Sequence, residues 1–175
     1  MPCVFQSCSH VSGSVFVLSF SSWYNVETIN LRSVDEPFFQ QYLVETPDGE
    51  LLKVCRHMEW DDDSDDDEDT HYHTLQFVVL KLDEKNKRWI RVKSLGDKAL
   101  FLGYNRAICL SALECPEFKA NCIYFTDDFF EGYHEHPLGC YDAGVFNLKD
   151  GIIKRFYQNP TFWAEPCIWI TPTAR

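Results

Sequence analysis

The stretch from Thr74 to Asp97, TLQFVVLKLDEKNKRWIRVKSLGD, constrains the fold of this chain more than any other part of it. It reads as two β-strands around the polar turn Asp83-Glu84-Lys85-Asn86-Lys87. Leu75, Phe77, Val78, Val79, Leu80 and Leu82 form a nearly continuous apolar run, whereas a half-exposed antiparallel strand alternates apolar with polar residues. The run therefore predicts a hairpin covered on both faces. Arg88-Trp89-Ile90-Arg91-Val92 resumes a β-favouring pattern with large side chains. Hairpins of this kind suit stacked sheets or propeller blades.

Other strands recur at short, regular intervals. Gln41–Glu45 and Glu50–Arg56 flank Thr46-Pro47-Asp48-Gly49, a turn in which Pro presets φ and Gly accepts a positive φ. Ala99–Gly103, Ala107–Leu113, Asn121–Thr126, Gly144–Leu148 and Ile152–Phe156 follow, with Lys149-Asp150-Gly151 closing the last pair. No segment reads as a long amphipathic helix. The strands group into fours: 41–45, 50–56, 74–82 and 88–93, then 107–113, 121–126, 144–148 and 152–156. VLKLDEKNKRWIRV and VFNLKDGIIKRF look like divergent copies of one strand-turn-strand motif. The expected fold is all-β, with antiparallel four-stranded blades forming part of a β-propeller, about two blades where a ring takes about four to eight. Residues 1–36 read as an irregular, Ser-rich segment with an edge strand at Val15–Phe20, and 37–175 as the propeller part.

With 175 residues, the chain holds one domain with a real core. Its formal charge of −11 is misleading, because Glu59–Asp69, EWDDDSDDDED, carries nine carboxylates and no Lys or Arg. Without that loop the charge is −2, so nucleic-acid binding is disfavoured. No apolar run approaches the ~20 residues of a membrane helix, and the opening residues lack a basic region and a small-residue cleavage site. Eight cysteines contain no C-x-x-C pair, and Cys55, Cys109 and Cys122 sit inside apolar strand patterns. They read as reduced core thiols of a cytoplasmic or nuclear protein.

Three blocks carry a resemblance to a known family. YLVETPDGELLKVCR, FVVLKLDEKNKRWIRVKSLGDKALFLGYNRAICLSA, and NCIYFTDD with AGVFNLKDG closely resemble the plant KIB-type β-propeller family, over about Pro37–Pro172 and including the closing W-I-T-P at Trp169–Pro172. VKSLGDKALFLG at Val92–Gly103 and CIYFTDD at Cys122–Asp128 are its hallmarks. The resemblance implies a substrate-recognition subunit of a cullin-RING ubiquitin ligase, in which an N-terminal F-box docks on the Skp adaptor and the propeller presents the substrate. The first thirty-odd residues show no F-box pattern, so adaptor binding is expected only if an F-box lies upstream. Blades without their neighbours leave apolar faces open to self-association.

No catalytic constellation is visible: there is no G-x-S-x-G elbow, P-loop or G-x-G-x-x-G. The pairs His71/His73 and His134/His136 would each share a face of an extended backbone, but neither matches the H-E-x-x-H zinc pattern. The aspartate run has no calcium-loop frame from Asp61, Asp62 or Asp63 and reads as a solvated, self-repelling loop. The sequence thus predicts no catalytic residue, no metal and no cofactor. It predicts a non-enzymatic protein-interaction module whose protein partner it does not name. The candidate partner surface is Trp89, Arg91 and Lys93 on one strand face, with Asp61, Asp62, Asp63, Asp65, Asp66 and Asp67 of the acidic loop. The alternatives are a truncated or vestigial family member without independent activity, and a metal-dependent enzyme built on the His pairs.

Overall fold

A computed structural model describes residues 3–5, 14–18, 26–30, 40–61, 71–128, 142–156 and 167–170. Every regular element among them is a strand. No helix among these residues is long and apolar enough to cross a membrane.

The strands are β1 (Cys3–Phe5), β2 (Ser14–Leu18), β3 (Val26–Asn30), β4 (Gln40–Glu45), β5 (Leu51–Asp61), β6 (His71–Asp83), β7 (Arg88–Val92), β8 (Lys98–Gly103), β9 (Arg106–Ser111), β10 (Cys122–Phe125), β11 (Gly144–Asn147) and β12 (Ile153–Arg155). They form three sheets, ordered β1-β2-β3, β4-β5-β6-β7 and β12-β11-β10-β8-β9. The N-terminal segment, read as irregular around one edge strand, carries a three-stranded antiparallel meander.

The four-stranded sheet is the expected blade. Its first turn works as its sequence dictates: Gly49 takes φ 81° and donates to Thr46 O at 2.9 Å, while the Thr46 hydroxyl accepts the Glu50 amide at 3.0 Å. The β6–β7 turn is held by Asp83, whose carboxylate accepts from the Asn86 backbone at 3.1 Å and side chain at 2.7 Å. The doubly covered run is real, since Phe77, Val78, Val79, Leu80 and Leu82 are all buried.

The second sheet departs from a four-stranded antiparallel blade. Strand β8 joins it between β9 and β10, and β8 and β10 run parallel, Ala99 opposite Cys122 through Leu102 opposite Phe125. The cause is where β9 stops. Ser111 lies opposite Lys98, at the end where β8 begins. The link 112–121 curls around that end, with Ala112 donating to Asp97 O and Asn121 to Lys98 O, both at 2.8 Å. Strand β10 therefore enters on the far side of β8 from the same end, which requires it to run parallel. The remaining pairs are antiparallel, and Gly151, at φ 71°, closes the β11–β12 hairpin.

The four- and five-stranded sheets pack face to face around one cluster. Val44, Leu52, Val54, Phe77 and Val79 from the first meet Leu100, Leu102, Cys109, Ile123, Phe125 and Phe146 from the second. The Phe77 ring lies 5.1 Å from Phe125 and 5.4 Å from Phe146, both tilted, an arrangement favoured by the ring quadrupoles. Behind the first sheet a smaller cluster joins Cys55, Val78 and Leu80, with Trp89 packed against it. Cys55, Cys109 and Cys122 are buried strand residues, as their sequence contexts predict.

Candidate functional site

Strand β5 is buried on both faces from Leu51 to Arg56, and a fully buried charge in such a strand must meet partners or cost several kcal/mol. Arg56 is that charge, fully buried between the two sheets. Its side chain makes six hydrogen bonds. Nε donates to Thr74 Oγ1 at 2.8 Å. Nη1 donates to Asp128 Oδ1 at 2.7 Å, Thr126 O at 3.0 Å and Tyr42 Oη at 3.3 Å. Nη2 donates to Asp142 Oδ2 at 2.9 Å and Asp142 O at 3.0 Å. The guanidinium also lies over the Phe125 ring, 4.9 Å from its centroid, and 5.9 Å from that of Phe77, so its apolar faces are covered as well.

The acids around it are bound a second time. Tyr42 donates to Asp128 Oδ2 at 2.7 Å, and Tyr72 to Asp127 Oδ1 at 2.6 Å. Asp127 Oδ2 accepts the Asp142 amide at 3.3 Å, and the Thr74 hydroxyl donates to Asp142. Arg155 on β12 adds a donor to Thr74 O at 3.1 Å and a cation 3.9 Å from Asp142 Oδ1. Burial pushes the Asp128 carboxyl up, with Arg56 and the Tyr42 hydroxyl pulling the other way. Burial likewise raises the Tyr42 hydroxyl, so it stays a hydrogen-bond donor at neutral pH. Arg56 remains charged throughout, because Tyr42, Asp128 and Asp142 outweigh its desolvation.

A β-bulge makes this arrangement possible. Strand β5 faces β6 as Arg56 to Phe77 and His57 to Gln76, but the next pair is Met58 to Thr74. Leu75 is the extra residue, and its side chain is 41% exposed. Without it, strict alternation would turn Thr74 and Tyr72 to the opposite face from Arg56. With it, both point into the interface and reach the acids of the second sheet.

The hallmark block Cys122–Asp128 thus ends in the clamp, supplying Thr126, Asp127 and Asp128. The role of these residues was not legible beforehand. One signal was available: a lone arginine in LLKVCRHM, inside a doubly covered strand, demands buried acids elsewhere.

The surface residues singled out from the sequence are not brought together with this cluster. Trp89 is half-buried against Cys55, Val78 and Leu80, while Arg91 on β7 and Lys93 just past its end are exposed. Asp61 ends β5, and Asp62, Asp63, Asp65, Asp66 and Asp67 lie outside the described residues. The acidic loop leaves and re-enters at the His71 end of β6, thirteen residues or roughly 40 Å from the Lys85–Lys87 turn at ~3.3 Å per residue. Nearby cations hold local acids, Lys98 with Asp48 at 2.8 Å, Arg88 with Asp83 at 3.6 Å, and Lys81 with Glu50. His73 sits 3.9 Å from Glu59, while His134 and His136 lie outside the described residues.

Comparison with known proteins settles the family. The signature of the KIB1-4 beta-propeller matches residues 4–147. This chain belongs to that family. The curated proteins to which it is similar include the following from Arabidopsis thaliana. The F-box protein SKIP23 is 28% identical over 94% of this chain and 43% of its own length. The F-box protein At2g17690 is 39% identical over 49% of the chain and 18% of its own length. The F-box/kelch-repeat protein KIB1 is 37% identical over 35% of the chain and 15% of its own length. The chain thus spans less than half the length of these relatives. No solved structure gives a significant match.

Proposed function

We propose that this KIB-type chain is a protein-interaction module, the propeller part that recognises a protein substrate for a ubiquitin ligase, with no chemistry of its own. The observation that carries the reading is the family match over residues 4–147, together with the F-box proteins to which the chain is similar. The clamp supports it from the physical side. The guanidinium's donors are all engaged with protein acceptors, and each of Asp127, Asp128 and Asp142 is hydrogen-bonded within the protein. The cluster therefore serves as a fixed frame and leaves recognition to exposed loops and strand edges. Docking on a Skp adaptor is expected only where an F-box lies upstream of these residues, and reduced thiols suit the cytoplasm or nucleus.

The test is proximity labelling in plant cells with two baits, this chain and the product of the longest in-frame transcript containing it. A shared protein that is labelled by both, and accumulates on proteasome inhibition only with the longer bait, is the expected result. Two baits with no labelled protein in common would overturn the reading.

A further inference from the structure

The outer face of the five-stranded sheet holds a socket filled by the chain itself. Trp169 packs edge-on against Phe101, with ring centroids 5.1 Å apart and planes at 81°. Phe101 is stacked on Tyr124 at 4.8 Å and braced by the Phe118 edge at 4.7 Å. The indole Nε1 donates to Leu102 O at 2.9 Å. The floor is Gly103, where an added Cβ would lie 2.9 Å from Trp169 Cδ1. Asn105, in the β8–β9 turn, reads the backbone: its Nδ2 donates to Trp169 O at 2.8 Å, and its Oδ1 accepts Trp169 N at 3.0 Å.

These contacts amount to the recognition of an extended peptide. The paired amide bonds fix one residue of backbone whatever its side chain, as an added strand would. The socket then selects that residue as tryptophan by shape and by one carbonyl acceptor. Its neighbours are barely used, for Ile168 is 56% exposed and Ile170 78% exposed. The occupant also leaves something unmet: Thr126 Oγ1, buried beside Gly103, has no hydrogen-bond partner among the described residues. Among the described residues, this self-segment is held through one side chain and one backbone unit, which makes it an exchangeable ligand.

We propose that Phe101, Leu102, Gly103 and Asn105 form a peptide-recognition site for an extended, tryptophan-bearing segment of a partner protein, occupied in cis by residues 167–170. This deepens the interaction-module reading and rests on it for the existence of a partner, but not for the binding itself.

The probe is a fluorescein-labelled peptide of residues 165–172, with Ser in place of Cys167, titrated by anisotropy against the full chain carrying Trp169→Ala. Saturable binding is expected. It should weaken at least tenfold against the unaltered chain, whose socket is filled, and against the double variant Trp169→Ala/Asn105→Ala. A peptide with alanine for tryptophan should not bind. A Trp169→Ala chain that melts cooperatively and binds no peptide would overturn the site, as would binding indifferent to Asn105. Should Trp169→Ala fail to fold, the unaltered chain is exposed to excess peptide carrying a photoreactive tryptophan analogue. Cross-links at 101–105 uphold exchange, and their absence shows a fixed strap instead. Either failure leaves the labelling experiment above to judge the interaction-module reading on its own.

Discussion

Replacing Arg56 with methionine, which keeps an unbranched apolar stem and removes the fork, should be among the most damaging single changes in this protein. The substitution deletes six hydrogen bonds and removes the cation that Asp128 and Asp142 share in the buried interface. Removing one partner of a buried ion pair costs about 3–5 kcal/mol, chiefly because the other charge is stranded. Here two buried carboxylates lose the cation they share, with Arg155 left 3.9 Å from Asp142, so the upper end of that range applies. For a domain of this size, about 2–4 °C per kcal/mol translates this into a drop in Tm of about 10–20 °C. The loss should depend on pH in a definite direction. Burial already raises Asp128, and Arg56 is the largest influence opposing it. Without Arg56 the folded-state pKa rises further above the unfolded one. A group shifted that way contributes stability below its unfolded pKa and loses it as pH climbs through the folded pKa. The gap between variant and unaltered chain should therefore narrow in acid and widen toward neutrality. The triple variant Arg56→Met/Asp128→Asn/Asp142→Asn should recover part of the loss at neutral pH, as the two carboxylates that Arg56 paired are neutralised with it. Urea titrations at several pH values measure all of this. A neutral-pH loss under about 1 kcal/mol, or a gap that widens in acid, would refute the account of the clamp.

Deleting Leu75 should cost at least ~3 kcal/mol although its side chain is 41% exposed, because Thr74 and Tyr72 swing away from Asp142 and Asp127; Leu75→Ala, which keeps the bulge, should cost under ~1 kcal/mol in the same denaturant series. Trp89→Ala should cost about 2 kcal/mol, below the ~3–5 kcal/mol of a fully buried aromatic, since Trp89 only half-covers the Cys55, Val78 and Leu80 cluster; a loss above ~4 kcal/mol would show that it is core. Burial pushes the Cys109 thiol up to about 11 and raises Cys122 as well, so Ellman's reagent at pH 8 should modify exposed Cys167 rapidly and leave Cys55, Cys109 and Cys122 until urea is added; mass mapping of early adducts on the buried three would contradict their placement.

What the sequence disclosed and what it hid divide along physical lines. Strand positions were legible because each depends on a few adjacent residues: Pro47-Asp48-Gly49 commits its turn, and the run from Phe77 to Leu82 announces burial on both faces. The insertion of β8 beside β10 was hidden, because it is decided by where β9 ends relative to β8, a matter of register between strands. The clamp was hidden for a related reason. Arg56, Asp128 and Asp142 are 72 and 86 positions apart along the chain, and an apolar run with one extra residue looks the same as one without. The Leu75 bulge therefore could not be seen until the pairing was known. Trp89 drew notice as a large aromatic among cations, yet its main contact is with its own sheet.

The fork of Arg56 has a further consequence. One guanidinium nitrogen holds Asp128 and the other holds Asp142, so both ends of the intervening segment 129–141 are tied to a single side chain. Asp128 and Asp142, fourteen positions apart in the chain, are thereby held at a fixed separation by the folded core itself.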